Sequence, residues 1–141
     1  MKRFLAVISF MLVTYSIYGQ ENSSWQLYSS VDGVEIYTME TDCYAQNIPD
    51  QKAILIKVVN TSSEDVRVEW DLLVWYNGEL VKRDVSDKEN HFTVEVRANS
   101  TEIGSCDVPR GALYIYKDFI TYETDTKLTD FELKNIQVTS N

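Results

Sequence analysis

The amino-acid sequence predicts an all-β protein, an antiparallel β-sandwich of about eight strands. Apolar and polar residues alternate along most of the chain, which is the pattern of strands that bury one face. Turn-forming pairs, among them Asp32-Gly33 and Asn77-Gly78, separate these segments at intervals of roughly ten residues. No segment long enough for a helix repeats its apolar residues with the helical period. An antiparallel barrel is compatible with the same pattern, and the sandwich is favoured.

Residues 1–19 are predicted to be a secretory signal peptide. The basic start Met1-Lys2-Arg3 is followed by an apolar run from Phe4 to Val13 and then by Gly19, after which cleavage is expected. The apolar run is too short to span a bilayer as a helix. Residues 20–141 are then the mature chain, which is predicted to be a single β-sandwich domain.

The charge of the chain narrows the classes of partner. The full chain has a formal net charge of −9, and removing Lys2 and Arg3 brings it to −11. Nucleic acids and anionic membrane surfaces bind through clusters of basic residues, so neither is expected as a partner. No cysteine directly follows the apolar run, which argues against a lipoprotein anchor. We expect a secreted or periplasmic protein without membrane insertion, whose partner is an unknown protein or glycan.

The chain has two cysteines, Cys43 and Cys106, and they are predicted to form a disulfide. Disulfides persist in exported proteins, and two cysteines allow only one intramolecular pairing. A metal pair or a catalytic thiol is the alternative. Both need further ligands or a histidine base, and His91 is the only histidine.

The strands follow from the period-2 pattern in chain order. Val66 to Tyr76 gives the strongest signal, and Asn77-Gly78 then predicts a hairpin whose returning strand ends near Lys82. A change of parity within the last strand predicts a β-bulge, and Asn99 to Arg110 is predicted to be a long connection. The other predicted strands are Trp25 to Tyr28, Val34 to Cys43, a central strand Ala53 to Val59 covered on both faces, His91 to Arg97, Ala112 to Lys117, and Phe131 to Val138.

Two tryptophans of the strongest strand are predicted to lie on opposite faces. Trp70 shares its side with the apolar residues and is expected in the core, where it is a candidate to pack on the disulfide. Trp75 shares the other side with Leu73, and Leu80 is its cross-strand neighbour. Leu73, Trp75 and Leu80 form the candidate binding patch, suited to a sugar ring or a protein. Alternatively, a loop or strand covers them and they form a second small core; the pair Tyr114 and Tyr116 has the same two interpretations.

The sequence matches no catalytic template, so no catalytic residue, cofactor or metal site is predicted. His91 falls at an outward strand position and is expected to be an ordinary surface residue. The acidic residues Glu123, Asp125 and Asp130 lack the spacing of a calcium loop. Three hypotheses remain: a non-enzymatic binding or accessory module, which is favoured, a hydrolase that uses paired acidic residues, and a structural subunit that exchanges a strand.

The order of features resembles the small secreted β-sandwich proteins of unknown function that are common in Bacteroidota. The resemblance rests on Trp25, Asp32-Gly33-Val34, Cys43, the segments Leu55 to Asn60 and Trp75 to Gly78, Gly104-Ser105-Cys106, and Phe131 to Asn135. It implies export, a disulfide and an immunoglobulin-like sandwich, and it assigns no catalytic residue. Trp70 lies much farther behind Cys43 than an immunoglobulin domain places its tryptophan. The disulfide is therefore predicted to tie a strand end to a long loop.

Overall fold

The computed structural model describes residues 24–81 and 90–140, and nine β-strands lie in these ranges. The predicted all-β fold is confirmed, and the predicted signal peptide lies outside the described residues. The strand that was predicted to end near Lys82 ends at Leu80. The described strands are β1 (Gln26–Val31), β2 (Val34–Cys43), β3 (Gln51–Asn60), β4 (Val66–Tyr76), β5 (Glu79–Leu80), β6 (His91–Val96), β7 (Thr101–Ile103), β8 (Tyr114–Phe119) and β9 (Leu128–Ser140).

The first of two antiparallel sheets, sheet A, has the order β1-β2-β3, with β7 and β8 sharing the second edge of β3. The predicted Asp32-Gly33 turn joins β1 to β2, and both residues have the positive φ that such a hairpin requires, 47° and 77°. Strand β3 is central, as predicted. The segment from Asn99 to Arg110, predicted to be a long connection, contains the short strand β7, so the prediction is wrong there. A strand of three residues is too short to show a period-2 pattern.

Gly104 lies where the chain leaves sheet A after β7. Its N–H donates to the carbonyl of Ile56 at 2.9 Å, and the N–H of Ile56 donates to the carbonyl of Leu113 at 3.0 Å. The departing and returning segments therefore meet at one residue of β3. A Cβ on Gly104 would lie 2.0 Å from the Leu113 carbonyl oxygen, so only glycine fits there.

The second sheet, sheet B, is centred on β4, with β9 along one edge and β5 and β6 sharing the other. The Asn77-Gly78 hairpin is confirmed: both residues have positive φ, 52° and 81°, and Trp75 pairs with Leu80. The predicted bulge in the last strand is also confirmed. The β4–β9 register shifts between Glu69 and Asp71, opposite Asn135, whose φ is 54°.

The main hydrophobic core lies between the two sheets and takes residues from both. Trp70 has no exposed surface and belongs to this core, as predicted. The prediction that Trp70 packs on the disulfide is wrong. Cys43 and Cys106 belong to a separate cluster, because Cys43 has the opposite parity to Val34 and Ile36, which face the main core along β2.

The Cys43–Cys106 disulfide is present, with Cα atoms 5.2 Å apart, which confirms the predicted pairing. It joins the end of β2 to the connection between β7 and β8, so it ties a strand end to a loop, as predicted.

Candidate functional site

The outer face of sheet B, the face turned away from the main core, is polar over the first half of β4. Directly opposed residues of β4 and β6 pair there: Arg67 forms an ion pair with Glu95 at 2.7 Å, and Thr93 donates to Glu69 at 3.3 Å. An antiparallel sheet with one buried and one solvated face has this pattern.

The outer face of sheet A is different, because it is apolar and aromatic. Every second residue of a strand points to this face, and residues paired on neighbouring strands point to the same face. Glu35 and Lys57 are its charged strand residues. The apolar members are Leu27, Tyr37, Met39, Ala53, Leu55, Val59, Ile103, Tyr114, Tyr116 and Phe119, together with Trp25 directly before β1. Sheet A therefore has apolar residues on both faces.

One end of this outer face is closed. Cys43, Ala53, Leu55 and Tyr114 are buried there, and Cys106 packs against them from the β7–β8 connection. Burial raises the pKa of the Tyr114 hydroxyl. This cluster accounts for the predicted covering of the second face of β3, and it places the disulfide in a small second core.

The other end is open and is built from four directly paired residues, one from each of four strands. Leu27 pairs with Tyr37, Tyr37 with Lys57, and Lys57 with Ile103. We call these four residues the Lys57 row. Leu27 is 58% exposed and Ile103 is 54% exposed.

The ammonium group of Lys57 is held by two aromatic rings. Its Nζ lies 4.3 Å from the ring centroid of Tyr37 and 4.8 Å from that of Trp25, within the range of cation–π attraction. The Tyr37 hydroxyl donates to Oε2 of Glu35 at 2.7 Å, and this hydrogen bond raises the pKa of Tyr37.

Exposed large apolar side chains concentrate on the strands of sheet A and on the loops at their ends. Among the described residues these side chains are Leu27, Tyr44, Leu80, Ile103, Val108 and Tyr122, and only Leu80 belongs to sheet B. Tyr122 contacts the ring of Phe119 edge to face, and Phe119 contacts Tyr116, which extends the aromatic surface beyond β8.

The predicted patch of Leu73, Trp75 and Leu80 is assembled on the outer face of sheet B. Trp75 and Leu80 are cross-strand partners, and Leu73 lies two residues earlier on β4. Leu73 and Trp75 are half-buried, Leu80 is 39% exposed, and the β9 residues opposite the first two are Glu132 and Asp130. The patch is smaller than the outer face of sheet A, and its role in binding stays a prediction.

His91 is exposed, as predicted, but it bridges two carboxylates. Its Nδ1 lies 2.9 Å from Asp71 Oδ1 and its Nε2 lies 3.6 Å from Glu69 Oε1. The hydrogen bond to Asp71 raises the pKa of His91. The pKa of Asp71 is lowered, first by a hydrogen bond from Asn135 and then by His91. Over the described ranges, no group of three or more His, Cys, Asp or Glu side chains is placed to hold a metal ion.

No protein-family model matches this chain. Neither a curated protein nor a solved structure matches it either. Within residues 24–81 and 90–140, no helix is long and apolar enough to cross a membrane. The residues of the molecule itself are therefore the basis for a functional assignment.

The Lys57 row was missed by reasoning from the sequence because its members come from four strands far apart in the chain. One signal pointed toward it: β3 is apolar at both odd and even positions, which a sheet with one solvated face does not require.

Proposed function

We propose that the chain is an exported, non-enzymatic module that binds another protein through the outer face of sheet A. The observation that carries this proposal is the contrast between the two outer faces. A solvated antiparallel sheet face is polar, as over the first half of β4 in sheet B, whereas exposed apolar surface larger than the patch of Leu73, Trp75 and Leu80 marks an interaction site.

The composition of the face favours a protein over a glycan. Leu27, Met39 and Ile103 are aliphatic or thioether side chains, which pack against other apolar side chains, and Trp25 and Tyr37 stand beside them. Interface cores are rich in aromatic residues and methionine and poor in charge. A sugar site needs several polar groups around its stacking ring, and the open end has two charged residues.

Export is supported by the disulfide, since such bonds persist outside the reducing cytoplasm. We also propose that the two sheets form an immunoglobulin-like sandwich and that the chain is related to the small secreted proteins of Bacteroidota. Strand crossings from β3 to β4, β6 to β7 and β8 to β9, each between the sheets, support the first of these proposals.

Photo-crosslinking in the native host tests the binding proposal. A benzophenone amino acid replaces Ile103 on sheet A or, as the matched control, Thr93, an exposed strand residue on the outer face of sheet B. We expect a discrete protein adduct from position 103. Excess unlabelled wild-type protein should suppress this adduct, whereas excess unlabelled Leu27→Asp protein should not. Equal adducts from both positions, or none from position 103, would overturn the proposal.

A further inference from the structure

We infer that the partner presents a carboxylate, from an aspartate or glutamate flanked by apolar residues, to the ammonium group of Lys57. This inference rests on the proposed function, because it specifies which protein segment the outer face of sheet A binds.

Among the residues that the structure describes, Lys57 is a half-buried cation without a carboxylate partner. In the part of the chain that the structure describes, ion pairs join Arg67 to Glu95, Lys117 to Glu40 and Lys127 to Asp118, but none includes Lys57. This is unexpected in a chain with 22 acidic and 13 basic residues. The one acidic strand residue on the same face, Glu35, accepts a hydrogen bond from Tyr37 instead. Glu35 is therefore hydrogen-bonded to Tyr37 and forms no ion pair with Lys57.

The two rings place the ammonium group in advance of binding. A lysine side chain loses considerable rotamer entropy when a partner immobilises it. Contact with the rings of Trp25 and Tyr37 restricts Lys57 before any partner arrives, which lowers this cost. The rings supply no hydrogen-bond acceptor of the strength of a carboxylate, so donors of the ammonium group stay available.

The rest of the row defines what surrounds the carboxylate. Leu27 and Ile103, both more than half exposed, lie at the two ends of the row, so the partner residues beside the acid contact aliphatic side chains. The net charge of −9 repels a highly acidic segment at long range. A single acid between apolar residues satisfies both conditions, because its attraction to Lys57 acts at contact.

A library of random short peptides displayed on phage is the probe. It is selected on four purified, disulfide-bonded proteins: wild type, Lys57→Met, Lys52→Met, and the double variant Leu27→Ser with Ile103→Ser. Lys52 is the matched control, because it lies on β3 at a position of opposite parity to Lys57. Circular dichroism checks that each variant is folded.

We expect wild type and Lys52→Met to enrich peptides with one Asp or Glu between apolar residues. Lys57→Met should enrich apolar peptides without the acid. Replacing that acid by its amide in a selected peptide should weaken binding to wild type about tenfold, the order expected for a charge-assisted hydrogen bond, and should leave binding to Lys57→Met unchanged.

The alternative outcomes separate the inference from the proposed function. In one such outcome, wild type enriches apolar peptides that lack an acid, while the Leu27 and Ile103 double variant enriches none. This result overturns the role of Lys57 and leaves the protein-binding face intact. If wild type enriches peptides no more than the double variant does, the proposed function is overturned. If wild type enriches no peptide but binds heparin, and Lys57→Met does not bind heparin, then the anion that Lys57 binds belongs to a glycan and the proposal of a protein partner is wrong.

Discussion

Trp70 and Trp75 lie on the same strand, and their different burial predicts different effects of substitution. Trp70 is fully buried between the sheets, whereas Trp75 is half-buried on the outer face of sheet B. Trp70→Ala should lower the free energy of unfolding by about 3 to 5 kcal/mol, a large part of the roughly 5 to 15 kcal/mol typical of a domain. Trp75→Ala should cost appreciably less. Denaturant unfolding of both variants measures this, and equal, large losses would show that both faces of β4 act as core.

Gly104 is required by contact distance and not by a positive φ. A methyl group there meets the backbone oxygen of Leu113, which no rotamer change can move away. Gly104→Ala should therefore lower the free energy of unfolding by at least about 2 kcal/mol. Gly78→Ala is the control: Gly78 has open space around its Cβ position and a positive φ, so the expected cost is about 1 kcal/mol. Chemical denaturation compares them, and a smaller loss for Gly104→Ala would contradict this explanation.

The contact between His91 and Asp71 predicts a pH-dependent contribution to stability. The pKa of His91 is raised in the folded state. Its contribution to stability is therefore complete below pH 6.5, the pKa in the unfolded chain, and is lost as the pH rises through the pKa in the folded state. The pKa of Asp71 is lowered in the folded state. Its contribution to stability is therefore present above pH 3.8, the pKa in the unfolded chain, and is lost as the pH falls through the pKa in the folded state. The pair therefore stabilises most between these limits.

The stability difference between wild type and His91→Gln should be larger near about pH 5.5 than near about pH 8. It should be small at both, because the side chain is 44% exposed and solvent screens the charges. Urea unfolding at the two pH values measures it. A difference that grows toward alkaline pH would reverse the predicted sign.

Among the elements, two edge strands are capped by tyrosines from the opposite sheet. The N–H of Leu133 on β9 donates to the Tyr28 hydroxyl at 2.8 Å, and the Tyr76 hydroxyl donates to the carbonyl of Tyr116 on β8 at 3.0 Å. Unpaired main-chain groups on an edge strand favour pairing with another chain. The longest edge strand, β9, is thus blocked near its middle, which weakens the hypothesis that this protein exchanges a strand.

Tyr28→Phe keeps the ring that stacks on Phe131 but removes the acceptor for the Leu133 N–H. We expect a loss of about 1 kcal/mol in unfolding free energy and faster aggregation on storage. Denaturation and light scattering measure these effects. Tyr37→Phe is the control, because its hydroxyl contacts a side chain, Glu35, and caps no strand. Identical behaviour of the two variants would show that Tyr28 does not protect β9.

Local signals predicted most elements, and the exceptions have physical causes. The turn pairs at Asp32 and Asn77 determine hairpins by their positive φ, and a parity change located the bulge opposite Trp70. Strand β7 was missed because its residues gain their regular conformation from pairing with β3, not from their own pattern. The Lys57 row depends on the same pairing, so the sequence predicted a binding patch on sheet B instead of this one.

At the scale of the whole molecule, the two sheets share one core and differ in what they present outward. Charges cover the first half of β4 and its partner β6, whereas sheet A has apolar residues on both sides of β3. One apolar side of β3 builds the main core. The other side has a closed end, which contains the disulfide, and the open Lys57 row, which is the proposed binding surface.

The disulfide should accordingly contribute to stability without being needed to form the Lys57 row. It joins residues separated by 63 positions, a loop whose closure stabilises a folded chain by about 4 kcal/mol in the chain-entropy model. The double variant Cys43→Ala with Cys106→Ala should lose up to that amount in denaturant unfolding. Its peptide selection should still require Lys57, because the strand pairs that join Leu27, Lys57 and Ile103 include neither cysteine; Trp25 is the residue of the site that also packs against the disulfide cluster. Unreduced wild-type protein should give the peptide that joins Cys43 to Cys106 in mass spectrometry. Two alkylatable thiols in protein purified without reductant, or a variant as stable as wild type, would contradict this role.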